Sequence, residues 1–413
     1  MEKTKKIHYA WWILVAAVAI QGGVIGILLN CTGILFSAII EDLGFRSGDL
    51  SIYYTIRAFT QAATVGITTK MFFSKNPKVV MTFLASLGAL AYIGMYFYDQ
   101  LWQWYISGVL VGTCMSCVLV VIPVVLNNWF KTKNGLVIGI AMAASGLGGA
   151  VFNPITSNII LAVGWRKAAV IIGLIGFAII VIPTWLILSI TPEEKGMKPY
   201  GYELVSDKIE TTETVAKSTF SYHMPKYIFY LTAFSIMVAC VMSQFGNQLP
   251  IFAQSVGYTI SIGAMVSSFN MIGNVCGKLM IGAMADKIGI FNAVTVNSIF
   301  IAISTIMLMF SGSSQLIMFA GSLILGLCYS MPTTVPPLIF MEVYGHDEYG
   351  TYLSRFQAYN AISMALASSL LPYIYDFTGS FFGALLLGTV LTVVSMVMFA
   401  TLKAKSDKIK MNA

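Results

Sequence analysis

Charge is what this chain of 413 residues has least of: Asp, Glu, Lys and Arg make up 10% of it, while 57% is hydrophobic. An ordinary soluble domain carries roughly 25% charge, and so few charges could not cover the apolar surface a soluble fold would have to hide. The scarcity excludes a disordered regulator and a nucleic-acid binder. Histidine is scarce too: His8, His223 and His346 all lie outside the apolar runs. A zinc site and an intramembrane acid–base enzyme therefore lack their ligands and proton carriers. The six cysteines sit inside apolar runs, which excludes a disulfide scaffold, and Cys114-Met-Ser-Cys117 reads as two small residues one helical turn apart. No cofactor and no metal are implied.

Long apolar runs are what the chain has instead. A membrane helix needs about 20 mostly apolar residues. That rule predicts twelve spans, at 11–38, 49–71, 78–98, 102–128, 134–161, 167–190, 227–250, 259–284, 291–311, 314–340, 348–375 and 380–402. The first run is too long for a cleaved signal and reads as an anchor. Thr191 to Lys226 is the long polar stretch. The expected organisation is an N-terminal six-helix bundle (1–190), a cytoplasmic linker (191–226), a C-terminal six-helix bundle (227–402) and a cytoplasmic tail (403–413). The fold class expected is an all-α polytopic membrane protein with two pseudo-symmetric halves.

Basic residues orient the chain. The N-terminus, alternate loops, the linker and the tail hold eighteen of the 24 Lys and Arg, among them Lys3, Lys5, Lys6, Lys70, Lys75, Lys78, Lys131, Lys133 and Lys287; the opposite loops keep Arg46, Arg166 and Lys167. Both termini are expected in the cytoplasm, with the protein in the cell membrane. The halves also resemble each other, as in carriers built from repeats. Leu43-Gly44-Phe45 recurs as Val256-Gly257-Tyr258 at an offset of 213, Gly112 as Gly326 at 214, and Gly135 as Gly350 at 215.

Three cations remain inside the spans, Arg57, Lys278 and Arg355, with no acid inside them. A charge at the centre of a membrane helix costs at least about 2.5–3.5 kcal/mol. The natural partner for such a cation is an anion that comes and goes. Lys278 is eight residues from Asp286, and Arg355 eight from Asp347, so each lies about 12 Å from the cytoplasmic end of its helix. Arg57 is eight residues from Asp49 on the other side, where it either joins the site or snorkels to the outer headgroups.

These residues carry a family resemblance. Gly282-Ala-Met-Ala-Asp286-Lys287-Ile-Gly289 resembles the helix 8–9 copy of the major facilitator superfamily signature. The first-half copy, expected near Phe73-Ser74-Lys75-Asn76-Pro77-Lys78, lacks the acid and the glycine. Gly33 to Phe36, Glu41 to Ser51, Asn128 to Gly135 with Gly139 and Ser145-Gly146, and Lys278-Leu-Met-Ile-Gly282 are similar to the monocarboxylate-porter and oxalate–formate-antiporter branch. The resemblance implies a rocker-type carrier with helices 1, 4, 7 and 10 around a cavity, flanked by 2, 5, 8 and 11. It also implies that the basic residue at 278 binds a substrate carboxylate, with a second cation near 355. The branch usually has Arg followed by Pro where this chain has Lys278 and Leu279. Asn30, Leu119 and Ser145 stand roughly where the oxalate exchangers have rings, which argues against oxalate itself.

The expected substrate-binding residues are Lys278, Arg355, Asn274, Asn270, Asn30, Tyr329, Tyr359 and Arg57. Asn270, Asn274 and Lys278 are spaced four apart and share one helix face. The function expected is secondary active transport of a small organic anion, a monocarboxylate, by a monomer in the lipid bilayer. A lysine can release its proton when desolvated, whereas an arginine stays charged, so protons could be the coupling ion; anion exchange is the other mechanism. Rival readings are a carrier of an organophosphate or a hydrophobic drug, and a non-transporting membrane sensor.

Overall fold

The computed structural model describes residues 8–202 and 225–411, apart from the side chains at 134–135, 346–350, 354, 358 and 410. The linker from 203 to 224, with Lys208 and Lys217, and the N-terminal Lys3, Lys5 and Lys6 lie outside the described residues. Among the described residues, twelve membrane helices follow in chain order. They are α1 (Tyr9–Leu43), α2 (Ser47–Ser74), α3 (Pro77–Phe97), α4 (Leu101–Trp129), α5 (Asn134–Val163) and α6 (Trp165–Leu186) in the first half. The second half has α7 (Lys226–Ser255), α8 (Ile260–Ile288), α9 (Ile290–Met309), α10 (Gln315–Thr333, continuing to Gly345), α11 (346–378) and α12 (Phe382–Met411). Ten are long and apolar enough to be recognised as spans on that ground alone; α2 and α11 are not. Those two carry Arg57 and Arg355.

Each half buries an apolar core, one built between Ala10 and Leu188 and joined by Ala264 of α8, the other between Ile228 and Leu402. The internal repeat is visible in the backbone. Gly44 and Gly257 end α1 and α7 at φ 67° and 91°, a left-handed conformation that glycine adopts without strain. Two expected boundaries differ. Helix α12 runs on through the lysine-rich tail to Met411, because Leu402 and Ser406 are buried and Lys403 donates to Asn292 Oδ1 at 3.3 Å. The start of the linker is also docked rather than free: Tyr200 N–H donates to the Trp129 carbonyl at 2.8 Å, and Lys131 N–H to the Tyr200 carbonyl at 2.9 Å.

The four helices expected to surround a cavity are irregular near mid-span. Helix α1 widens into π-type turns over Gly22–Ile27, and α4 breaks at residues 116–117. Helices α7 and α10 tighten into 3₁₀ turns over Val241–Gln248 and Gly326–Tyr329. Proline explains the last two, since it cannot donate to the carbonyl four residues back and crowds it. Pro250 faces Gly246 in this way, and Pro332 faces Cys328.

The halves meet through two crossings that the repeat relates to each other. In one, α5 lies on α8, where Gly146 abuts the Met271 carbonyl and Val275. In the other, α2 lies on α11, where the Thr55 hydroxyl donates to the Ala365 carbonyl at 2.7 Å and contacts Ser368 and Ser369. Further bonds gather at the membrane face opposite the linker. Asp376, near the end of α11, accepts from the Ser47 N–H at 3.1 Å and from the Gly48 N–H. Tyr373 donates to Asp49 Oδ1 at 2.9 Å, Gln248 to Ser51 Oγ at 3.2 Å and Gln254 to Glu41 at 3.4 Å. A carboxylate thus caps the first turn of α2 from the other half, where free N–H groups and the helix dipole favour an anion.

A charged hydrogen bond contributes about 1.5–3 kcal/mol, so Asp376→Ala is expected to shift this closure about tenfold toward opening. With Cys276, the exposed native cysteine, replaced by serine, an impermeant maleimide should label Ser51→Cys severalfold faster once Asp376 is removed. An unchanged labelling rate would show that the cap does not hold the closure.

Candidate substrate-binding site

Helix α8 presents the expected stripe. Asn270 is fully buried; its Nδ2 donates to the Ser322 carbonyl at 3.0 Å, and its Oδ1 has no partner among the described residues. Asn274, one turn on, contacts Met271 Sδ at 3.9 Å through Nδ2, and its Oδ1 is likewise unpartnered. Lys278, a further turn on, is half-buried. Among the described residues the ion pair is Arg166–Asp99 at 2.6 Å, so Lys278 has no acidic partner there.

Glycines bring this stripe against α10. A Cβ on Gly273 would meet the Leu323 carbonyl, and one on Gly277 would lie 2.7 Å from Leu327 Cα. The close approach sets Tyr329 beside Asn270. A Cβ on Gly246 of α7 would strike the Tyr329 hydroxyl and come within 2.9 Å of Asn270 Oδ1. Tyr329 is half-buried, yet its hydroxyl is shielded and unpartnered.

Arg57 is turned into the protein, 9% exposed, and does not snorkel. Its NH1 points at Gln61 Oε1 at 3.5 Å and at Met115 Sδ at 3.7 Å, and its Nε has no partner. The repeat explains its depth. A Cβ on Gly112 would lie 2.5 Å from the Arg57 carbonyl, and one on Gly326 would strike the Asn270 carbonyl in the same way. Arg57 and Asn270 are therefore counterparts, at an offset of 213.

The other expected residues are not gathered at this centre. Asn30 donates to the Ser145 carbonyl at 2.9 Å and so ties α1 to α5. Arg355 is exposed, with its guanidinium carbon 6.0 Å from the Tyr352 ring, and Tyr359 is exposed against Phe229 of α7 at 6.2 Å. Both share a stripe with exposed Ile362, Leu366 and Leu370. Sequence reasoning passed over Tyr53 and Tyr54, which are buried beside Arg57 with unpartnered hydroxyls. Their signal was the spacing of three and four residues to a cation inside a span.

Comparison with known proteins agrees with this architecture. The chain is 23% identical to the oxalate:formate antiporter of Oxalobacter formigenes over 296 residues, 71% of this chain and 68% of that protein. It is 29% identical over 190 residues to the probable transporter MCH2 of Saccharomyces cerevisiae, 46% of this chain and 38% of the relative. An uncharacterised Escherichia coli transporter, YhjX, is 26% identical over 198 residues, 47% of this chain and 46% of the relative. The matches thus span less than half the length of these last two. Among solved structures, the nucleoside transporter NupG superposes with a TM-score of 0.69 at 12% identity, covering 96% of this chain and 99% of that one. A bacterial homologue of the human lysosomal transporter Spinster superposes with a TM-score of 0.65 at 10% identity, covering 97% and 96%. These two likenesses speak to fold. The family profile matched is that of the Major Facilitator Superfamily, over residues 18–368. With that match across most of its length, the chain belongs to the Major Facilitator Superfamily.

Proposed function

We propose that the protein is a secondary active transporter of small organic anions, with a monocarboxylate as cargo. The observation that carries this reading is the pair of intramembrane cations, Lys278 and Arg57, that have no acidic partner among the described residues. An anionic substrate would neutralise a charge that is otherwise costly in lipid. Asn270, Asn274 and Tyr329 would orient it, Arg355 would draw anions toward the opening, and Asn30 and Tyr359 would shape the walls. The oxalate:formate antiporter among the relatives supports an anionic cargo.

The distribution of lysines supports cytoplasmic termini in a cell membrane. The bonds around Asp376 would then close the outer side, and the state described would face the cytoplasm. The carrier would act as a monomer by alternating access, with no catalytic step. Loading with the anion lets the charged centre cross. Return of the empty carrier requires either that Lys278 give up its proton, which is symport, or that a second anion bind, which is exchange.

Uptake of labelled lactate into liposomes holding the purified protein tests the reading. Uptake should saturate and be competed by acetate, formate and pyruvate. An inward proton gradient should drive accumulation into anion-free vesicles if the mechanism is symport; only preloaded vesicles should respond if it is exchange. Failure of every mono- and dicarboxylate tried to enter or to exchange would overturn the proposal.

A further inference from the structure

Arg57 is the most deeply buried of the three cations, and no acid lies among its neighbours in the described residues. Its electrostatic neighbours are Tyr53 and Tyr54. The two rings pack edge to face at 5.3 Å, and both hydroxyls are unpartnered among the described residues. Tyr54 lies within electrostatic reach of Tyr329 from the other half, whose hydroxyl is also unpartnered. The contacts that Arg57 does make, to an amide oxygen at 3.5 Å and a thioether at 3.7 Å, are long. A guanidinium offers five donors and no acceptor, and each phenol offers one more donor. Each phenol oxygen can also accept, as Gln61 Oε1 and Met115 Sδ do, but donors outnumber acceptors in this group, so a guest rich in acceptors complements it, and a carboxylate is such a guest.

We propose that Arg57, Tyr53, Tyr54 and Tyr329 form a second carboxylate-binding station, separate from the one at Lys278 and nearer the closed face. The proposal rests on the reading of the protein as an organic-anion carrier. Arg57 lies eight residues from Asp49, and Lys278 eight from Asp286, so the two stations approach the midplane from opposite faces, each about 12 Å deep. Thr55, next to Tyr54, bonds α11 at Ala365 and Ser369, so the closure seals beside this station. Parting α2 from α11 there would open the Arg57 station, while Lys278 serves the linker side. A carboxylate could then be handed from one cation to the other as the halves rock. Tyr329, packed against Asn270 of the first station, is the residue shared by both.

The test uses the full chain in nanodiscs with lactate as ligand, read by melting temperature and calorimetric titration. Arg57→Met should weaken lactate binding about tenfold to a hundredfold, and Arg57→Lys should restore part of it. Tyr329→Phe should weaken it several-fold. In the absence of lactate, Arg57→Met should melt no lower than the parent, because it removes an unpaired buried charge; a structural arginine would give the opposite. Lys278→Gln should keep a residual response that disappears in the Arg57→Met/Lys278→Gln double variant. An unchanged lactate affinity in Arg57→Met overturns the second station, and so does a null response in Lys278→Gln alone. A parent protein that responds neither to lactate nor to acetate, formate or oxalate overturns the carrier reading itself.

Discussion

Lys278→Gln is expected to lower carboxylate uptake by about a hundredfold and to leave the protein folded. Both halves of this expectation come from the surroundings of the side chain. The lysine has no acidic partner among the described residues, so its loss breaks no ion pair there. Removing an unpaired cation from a span relieves about 2.5–3.5 kcal/mol, so the empty variant should melt at or above the parent. What is lost is the charge meant for the substrate, about 1.5–3 kcal/mol for each charged hydrogen bond in the loaded state. Every 1.4 kcal/mol is about tenfold, and transport needs the loaded state both to form and to cross. Lys278→Arg separates coupling from binding. It keeps the charge but holds its proton, so it should retain exchange while losing accumulation driven by a proton gradient. Transport by Lys278→Gln at the parent rate would remove this lysine from the mechanism.

Gly326→Ala should be among the more damaging single methyl groups in the second half. A Cβ there would strike the Asn270 carbonyl and lie 2.6 Å from Gly273 Cα and 2.7 Å from the Asn274 nitrogen. All three are backbone atoms of α8, so no side chain can turn away, and α8 must move off α10 as a unit. Overpacking of this kind costs about 1–3 kcal/mol and sometimes more. Asn270 and Asn274 would move with their backbone, so melting temperature and lactate affinity are expected to fall together. Gly282→Ala on the same helix is the control, since nothing lies within 4 Å of its added carbon. It should leave affinity unchanged and stabilise the helix by about 0.5–1 kcal/mol. Equal stability of Gly326→Ala and the parent would mean that α8 and α10 are less tightly apposed than their glycines indicate.

How far the site was legible depends on whether a property is local to one helix. The stripe of Asn270, Asn274 and Lys278 follows from helical spacing, and the structure keeps all three on one face of α8. Arg57 and Arg355 looked alike in sequence, each a cation eight residues inside a span. The fold separates them: Arg57 is pressed inward where Gly112 admits its backbone close to α4, while Arg355 stays on an exposed stripe of α11. The length of α12 was not legible for a related reason. Charge alone marked 403–413 as a tail, yet Lys403 and Lys405 reach Asn292 and Tyr227 from a helix that continues.

From the sequence by itself come the membrane as solvent, the repeat of two halves and the presence of cations without acids in the spans. These depend on transfer free energies of single residues and on a rise of about 1.5 Å per residue, both of which are additive along the chain. Tertiary structure alone decided which way each helix is rotated about its axis, and hence that Arg57 is turned inward while Arg355 is exposed. It also decided that Asp376 caps a helix 328 residues away. Rotation and apposition are set by how neighbouring surfaces fit, and no single helix carries that information.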